Sequence, residues 1–152
     1  MRFLVAGELN LDLVLQNYLS FPALGQETLV EDVTLTLGSS GAICAAGLAK
    51  LGNTVTFTGK VGCDSWGDQC LESLARLNVD NSRVMRDATV KTGITVSISS
   101  PRDRAMVTYL GALAAMRAEE SSFRGERWRF PDWRWPCKPL NSNIKCLKSL
   151  RK

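Results

Sequence analysis

The chain contains no histidine, which removes Ser-His-Asp triads, H-E-x-x-H zinc sites and any imidazole acting as general base. A large share of hydrolase chemistry goes with it. A C-x-x-C pair is also missing, because the five cysteines stand at 44, 63, 70, 137 and 146. An odd count with no secretory segment predicts reduced thiols in a cytoplasmic protein. No apolar run approaches the roughly 18 residues that a membrane span needs. Phe3-Leu4-Val5-Ala6 is too short for a signal core and runs into Glu8 and Asp12. Residues 1–120 show neither an internal repeat nor a low-complexity tract. What is present, 152 residues with 45% hydrophobic and 22% charged, is the composition of a globular domain.

Charge is divided unevenly. Residues 1–120 hold 10 Lys/Arg against 13 Asp/Glu, a net −3, whereas residues 121–152 hold 9 against 2, a net +7. Eleven of the 12 glycines lie in the first segment, while three of the four tryptophans and three of the five prolines lie in the second. Trp128-Arg129-Phe130-Pro131-Asp132-Trp133-Arg134-Trp135-Pro136 has neither helical nor strand period. Residues 121–152 are therefore expected to be a basic Trp/Arg-rich tail outside the fold made by residues 1–120. Arginine interleaved with tryptophan also suits a binder of single-stranded nucleic acid or acidic membrane. An out-of-frame segment yields the same unpatterned Arg, Trp, Pro and Cys, so neither partner is expected.

Residues 1–120 read as α/β. Arg2 to Ala6 and Thr54 to Lys60 are short apolar or β-branched runs closed by glycine, as in buried strands of a parallel sheet. Between them Gly41 to Leu51 is apolar almost all round and is followed by Gly52, which predicts a well-covered helix with a C-terminal glycine. Ser65-Trp66-Gly67-Asp68 fits a capping pattern, after which Cys70, Leu71, Leu74 and Leu77 recur on one helical face. Leu11 to Leu15, Val33 to Leu37, Thr92 to Ser99 and Met106 to Leu110 alternate instead, which means one wet face. The last two are joined through Ser100-Pro101-Arg102-Asp103 as a hairpin. Two sheets are expected: an incomplete parallel one with helices and a small antiparallel one covering something.

Asn10 and Asp12 fall just past the first strand, at the edge where open α/β sheets place ligands, and i, i+2 spacing in extended chain points both side chains the same way. A carboxylate accepts from paired hydroxyls and an amide both donates and accepts, so the pair suits a polyol. Asn and Asp also favour turns regardless of function. Gly38-Ser39-Ser40-Gly41 leads into the helix, so backbone N–H groups and hydroxyls converge at its positive end. An ordinary serine cap with turn glycines reads the same way. Gly47 to Thr54 imitates a P-loop, but Asn53 stands where the lysine is required and the segment runs from helix to strand. Asp64 and Asp68 are explained without a metal, one by the loop and the other by the helix cap.

Seven blocks then line up: Gly7-Glu-Leu-Asn10-Leu-Asp12, Pro22-Ala-Leu-Gly25-Gln-Glu27, Gly38-Ser39-Ser40-Gly41-Ala-Ile43 continuing to Gly52, Gly59-Lys60-Val61-Gly62-Cys-Asp64-Ser-Trp66-Gly67, Leu77-Asn78-Val79-Asp80, Thr92-Gly93, and Tyr109-Leu-Gly111-Ala112. In order and spacing they resemble the amino-terminal part of the ribokinase-like PfkB carbohydrate kinases. The resemblance implies a large α/β domain, a small β-sheet lid that serves as a homodimer surface, and phosphoryl transfer from ATP to a sugar hydroxyl with Mg²⁺. By position, Asn10 and Asp12 would hold sugar hydroxyls, and Gly38, Ser39 and Ser40 would line the floor. The family's Gly-Gly-x-x-x-Asn reads Gly38-Ser39 and Ile43 here, so one substrate contact at Ile43 is lost or replaced.

The resemblance stops near Met116 to Glu119. The family's Asp-Thr-x-Gly-Ala-Gly-Asp segment, which supplies the catalytic base and the anion hole, has no counterpart, and the only Gly-Asp is Gly67-Asp68. The expectation is a truncated carbohydrate kinase whose catalytic residues and ATP and Mg²⁺ site are absent from these residues. Such a chain would be inactive alone and would expose apolar surface, giving poor solubility or oligomerisation. The alternative is a non-catalytic sugar-binding or lid-dimerisation module.

Overall fold

A computed structural model of the chain describes residues 1–18, residues 20–116 and the backbone of residues 145–148. The first strand, β1 (Arg2–Ala6), pairs in parallel with β4 (Thr54–Gly62), which pairs in parallel with β5 (Val79–Asp87) through a bulge between Thr56 and Thr58. Helix α1 (Ser40–Lys50) leads into β4, and helix α2 (Ser65–Arg76) joins β4 to β5. Strand β5 gives little sequence signal because polar residues interrupt it; Val79, at its start, reaches the core. A further strand, β8 (Lys145–Lys148), lies antiparallel along the other edge of β1, from Phe3↔Lys148 to Ala6↔Lys145. It falls in the stretch read from sequence as a tail, the rest of which lies outside the described residues.

Alternate residues of this sheet, Val5 on β1, Val55 and Phe57 on β4 and Val79 on β5, pack with Ala42 and Ala45 of α1 and Cys70 and Leu74 of α2. Burying the Val, Leu and Phe side chains among these contributes about 1.5–3 kcal/mol each. Helix α1 approaches closely because of two glycines: a Cβ on Gly41 would sit 3.1 Å from the Gly7 Cα. Contrary to the expectation from its composition, the helix is not covered all round. Residues 42 and 45 face the sheet, whereas Ile43, Ala46, Gly47 and Lys50, one helical stripe away, line an open groove with Thr36, Leu37 and Leu77. Gly52 leaves the helix with φ 78°, where glycine is favoured.

The cap of α2 also differs from its sequence reading. Asp64, not Ser65, is the N-cap, and its Oδ1 accepts the Gly67 N–H at 2.8 Å. Asp68 sits in the first turn and pairs with Arg86 at 2.6 Å. Burial pushes the Cys70 thiol up to about 12, and the described cysteines 44, 63 and 70 are free thiols.

The second sheet has the order β3-β2-β6-β7, from β2 (Asn10–Gln16), β3 (Asp32–Leu37), β6 (Gly93–Ser99) and β7 (Arg104–Tyr109). It is mixed, not antiparallel as expected. The outer pairs are antiparallel, but β2 and β6 run parallel in register from Asn10↔Gly93 to Gln16↔Ser99. The whole α/β unit intervenes between these two strands, and a crossover of that length permits the parallel arrangement that a hairpin forbids. Register sorts the faces. One carries the rows Leu37-Leu11-Ile94-Tyr109, Leu35-Leu13-Val96-Val107 and Val33-Leu15-Ile98-Ala105; the other carries Thr36-Asp12-Thr95-Thr108 and its neighbours. Thr95 and Ser97 on the polar face are buried, whereas Val33, Leu35, Val107 and Tyr109 on the apolar face are exposed.

Candidate functional site

Asn10 and Asp12 open β2, immediately after the turn at Gly7 to Leu9, and share a face because they are two residues apart in an extended strand. Asn10 is buried, and its Nδ2 donates to Asp12 Oδ1 at 3.1 Å and to Thr95 Oγ1 at 3.1 Å. Its Oδ1 accepts the Ser39 hydroxyl. Both ends of the amide are thereby fixed, joining the mouth of α1 to the middle of the second sheet. Thr95 is linked in turn to Thr108 on β7, oxygen to oxygen at 3.1 Å.

Ser39 is the N-cap residue of α1, yet its side chain makes no capping bond to the helix, because its hydroxyl goes to Asn10. Its backbone, at φ 69° and ψ 137°, lies in a region that favours glycine. Gly38 N–H donates to the Asn10 carbonyl at 2.9 Å. A Cβ at Gly38 would lie 2.2 Å from Asp12 Oδ1 and 2.9 Å from Asn10 Oδ1, so only glycine leaves the carboxylate where it is. Burial pushes the Asp12 carboxyl above the ordinary carboxylate range, against the pull of hydrogen bonds from Asn10 and Thr95 and of the Arg104 charge.

Of the residues singled out from the sequence, the structure brings Asn10, Asp12, Gly38 and Ser39 into one hydrogen-bonded or close-contact cluster. Ser40 is the next residue, half-buried at the first turn of α1. Ile43 does not join them. It is 59% exposed in the groove on the outer stripe of α1. Sequence reasoning missed Thr95 and Thr108, whose membership depends on the parallel pairing of β2 with β6; the polar positions alternating with Ile94, Val96 and Ile98 were the available signal.

A second network holds β6 in place. Asp64 accepts the Thr92 hydroxyl at 2.6 Å and the Thr92 N–H at 2.8 Å, and Thr92 Oγ1 accepts the Gly62 N–H at 2.9 Å. Burial raises the Asp64 carboxyl, but these bonds and that from Gly67 outweigh it and hold the group below its ordinary value of 3.8. The end of β4, the start of α2 and the start of β6 thus meet at one carboxylate, three residues before Thr95.

The cluster offers a carboxylate, an amide, hydroxyls and backbone N–H groups at the edge of an α/β sheet, which is the chemistry of a polyol grip. Among the described residues no three His, Cys, Asp or Glu side chains are grouped to hold a metal ion. Nor is any helix among them long and apolar enough to cross a membrane.

Parts of the sequence and of the fold recur in known proteins. The chain is 37% identical over 75 residues to a 5-dehydro-2-deoxygluconokinase of Lacticaseibacillus casei, covering 48% of this chain and 23% of that protein. It is 33% identical over 85 residues to a probable chloroplastic fructokinase-6 of Arabidopsis thaliana, covering 55% and 22%. The match thus spans under a quarter of either relative. Among solved structures, a PfkB protein from Polaromonas sp. superposes with a TM-score of 0.65 at 26% identity, covering 76% of this chain and 38% of that one. A Pyrococcus horikoshii sugar kinase in complex with ATP gives 0.57 at 27%, covering 68% and 32%. For the fold alone, ribokinase of Thermotoga maritima gives 0.61 at 23%, covering 70% and 35%. The architecture is therefore ribokinase-like. Since the profile described as pfkB family carbohydrate kinase matches residues 2–129, most of the sequence, the chain belongs to that family.

Proposed function

We propose that residues 1–120 form the sugar-gripping and lid part of a carbohydrate kinase, in which Asp12 and Asn10 hold sugar hydroxyls over a floor of Gly38, Ser39 and Ser40. The observation that carries this reading is the fixed Asn10 amide, bonded at one end to Ser39 and at the other to Asp12 and Thr95. A buried amide held in this way orients the Asp12 carboxylate and keeps one Oδ1 lone pair for a sugar hydroxyl, and preorganised acceptors bind hydroxyls without a cost of rearrangement. Phosphoryl transfer needs a positioned base and charge stabilisation around the transferring group. In this reading those groups, with the ATP and Mg²⁺ site, belong to segments of the longer relatives that have no counterpart in these residues. The chain by itself then binds a sugar without turning over ATP.

Calorimetric titration of the 152-residue chain with fructose and ribose tests the grip, with Asp12→Ala as the control. Binding that the substitution abolishes supports it, and binding that it leaves unchanged refutes it. ATP turnover by the purified chain, lost in Asp12→Ala, would refute the division of labour.

The exposed apolar face of the second sheet favours one further assignment, that this sheet pairs two copies of the chain. Val33 and Leu35 on β3 and Val107 and Tyr109 on β7 are exposed at the two edges of one apolar sheet face, and exposed apolar surface of this kind marks interaction sites.

A further inference from the structure

Asp64 lies outside the cluster that grips the sugar, but it anchors the strand that completes that cluster. The ladder between β2 and β6 starts at Asn10↔Gly93 and puts Thr95 opposite Asp12. One residue upstream of the ladder, Thr92 is fully buried and is held to the α/β unit at three points. Its N–H donates to Asp64 Oδ2, its hydroxyl donates to Asp64 Oδ1, and its Oγ1 accepts the Gly62 N–H. The first turn of α2 closes against the same group: a Cβ on Gly67 would lie 2.3 Å from the Gly62 carbonyl oxygen and 3.0 Å from Thr92 Oγ1. The return of the hairpin is clamped alongside. The Ala112 N–H donates to the Lys91 carbonyl at 2.8 Å, and a Cβ on Gly111 would lie 2.3 Å from that same oxygen. The root of β6 therefore cannot shift alone.

Capping α2 accounts for only half of this carboxylate. Oδ1 accepts the Gly67 N–H, which is all that a helix cap requires, whereas Oδ2 accepts the buried Thr92 N–H. From Thr92 an extended strand runs about 10 Å to Thr95, whose Oγ1 accepts the Asn10 Nδ2 donor at 3.1 Å. A tilt of β6 at its root is carried along the strand to that bond, and hydrogen bonds weaken steeply with distance and misalignment. The Asn10 amide, and through it Asp12, is therefore oriented from two directions: by Ser39 at the mouth of α1 and by Thr95 on a strand rooted at Asp64.

We propose, resting on the sugar-grip reading above, that Asp64 is a positioning residue for the sugar site: through Thr92 it sets β6, and thereby Thr95 and the Asn10 amide, without touching the sugar. The test is calorimetric titration of the full chain with fructose and ribose, with urea unfolding of each variant alongside. A role confined to folding lowers the urea midpoint but leaves the affinity of a chain that is still almost wholly folded unchanged, since apparent affinity falls only with the competent fraction. Asp64→Ser keeps an oxygen for the helix cap and offers none to the Thr92 N–H; it weakens sugar binding about tenfold. Thr92→Val, which loses the hydroxyl, weakens it about as much, and Thr92→Ser, which keeps the hydroxyl, stays within about twofold of wild type. The double variant Asp64→Ser/Thr92→Val binds no more than about twofold worse than the weaker single, because the two residues act as one unit. Affinities within about twofold of wild type in both Asp64→Ser and Thr92→Val, or equal losses in Thr92→Ser and Thr92→Val, overturn this assignment, and the grip still stands if Asp12→Ala abolishes binding. Should Asp64→Ser show no cooperative urea transition, the two Thr92 variants decide by the same criteria. A wild-type chain that unfolds cooperatively and binds neither sugar overturns both readings.

Discussion

Replacing Gly38 by alanine separates the fold from the site. The added Cβ would stand 2.2 Å from Asp12 Oδ1, 2.5 Å from Asp12 Cγ and 2.9 Å from Asn10 Oδ1. None of these is an acceptable carbon contact, so the Asp12 side chain must swing away. The backbone itself accepts alanine, since Gly38 is not among the glycines with positive φ. Asp12 is only partly buried and its carboxylate is the far end of a rotatable side chain, so folding loses about 1 kcal/mol. The smaller backbone entropy of an unfolded alanine restores about 0.4–1 kcal/mol of that. Binding suffers much more. A carboxylate gripping two hydroxyls contributes two charge-assisted hydrogen bonds of about 1.5–3 kcal/mol each. Losing both costs on the order of a hundredfold or more in affinity. Urea denaturation and sugar titration on the same preparation read the two quantities together. Wild-type sugar affinity in Gly38→Ala would refute the assignment of Asp12 as the gripping group. A stability loss of several kcal/mol would refute the claim that its carboxylate is free to move.

Other substitutions probe the remaining parts. Ser39→Gly should be more stable than Ser39→Ala by about 1–3 kcal/mol, because both lose the hydroxyl but only glycine escapes the unfavourable φ; equal urea midpoints would show that no strain is stored there. Asp64 has a depressed folded pKa, so its contribution is present above the ordinary value of 3.8 and is lost as pH falls through the lower folded value. Asp64→Asn should therefore be less stable than wild type at pH 7, by about 1–3 kcal/mol, because an amide NH2 in place of Oδ2 cannot accept the buried Thr92 N–H, with the gap closing below pH 4; a gap constant with pH would contradict it. Val107→Asp, on the exposed apolar face, should convert a dimer to a monomer in sedimentation without lowering the melting temperature; a wild-type chain that sediments as a monomer would remove the pairing surface.

The sequence makes some of this legible and hides the rest for identifiable reasons. Strands β1 and β4 show because buried parallel strands are continuous apolar or β-branched runs, and the β6-β7 hairpin shows because its Pro101 turn separates two alternating segments. The i, i+2 spacing of Asn10 and Asp12 was enough to align them. Thr95 could not be found by local pattern, since its contact with Asn10 spans 85 positions and depends on which strand β6 joins. Ile43 misled for a similar reason. It is close in sequence to Ser39, but helical phase turns it onto the outer stripe, about 100° from the residues that face the sheet. Strand β5 escaped because its alternation is broken by a bulge and by charged residues.

The placement of β8 has a consequence for how this sheet can grow. Backbone amides and carbonyls between Phe3 and Ala6 are already committed to Lys145–Lys148 in the reverse direction. A newcomer strand, whether from a neighbouring molecule or from a fused extension, must first evict the resident one, which makes the border of β1 a guarded seam and not an open docking rail.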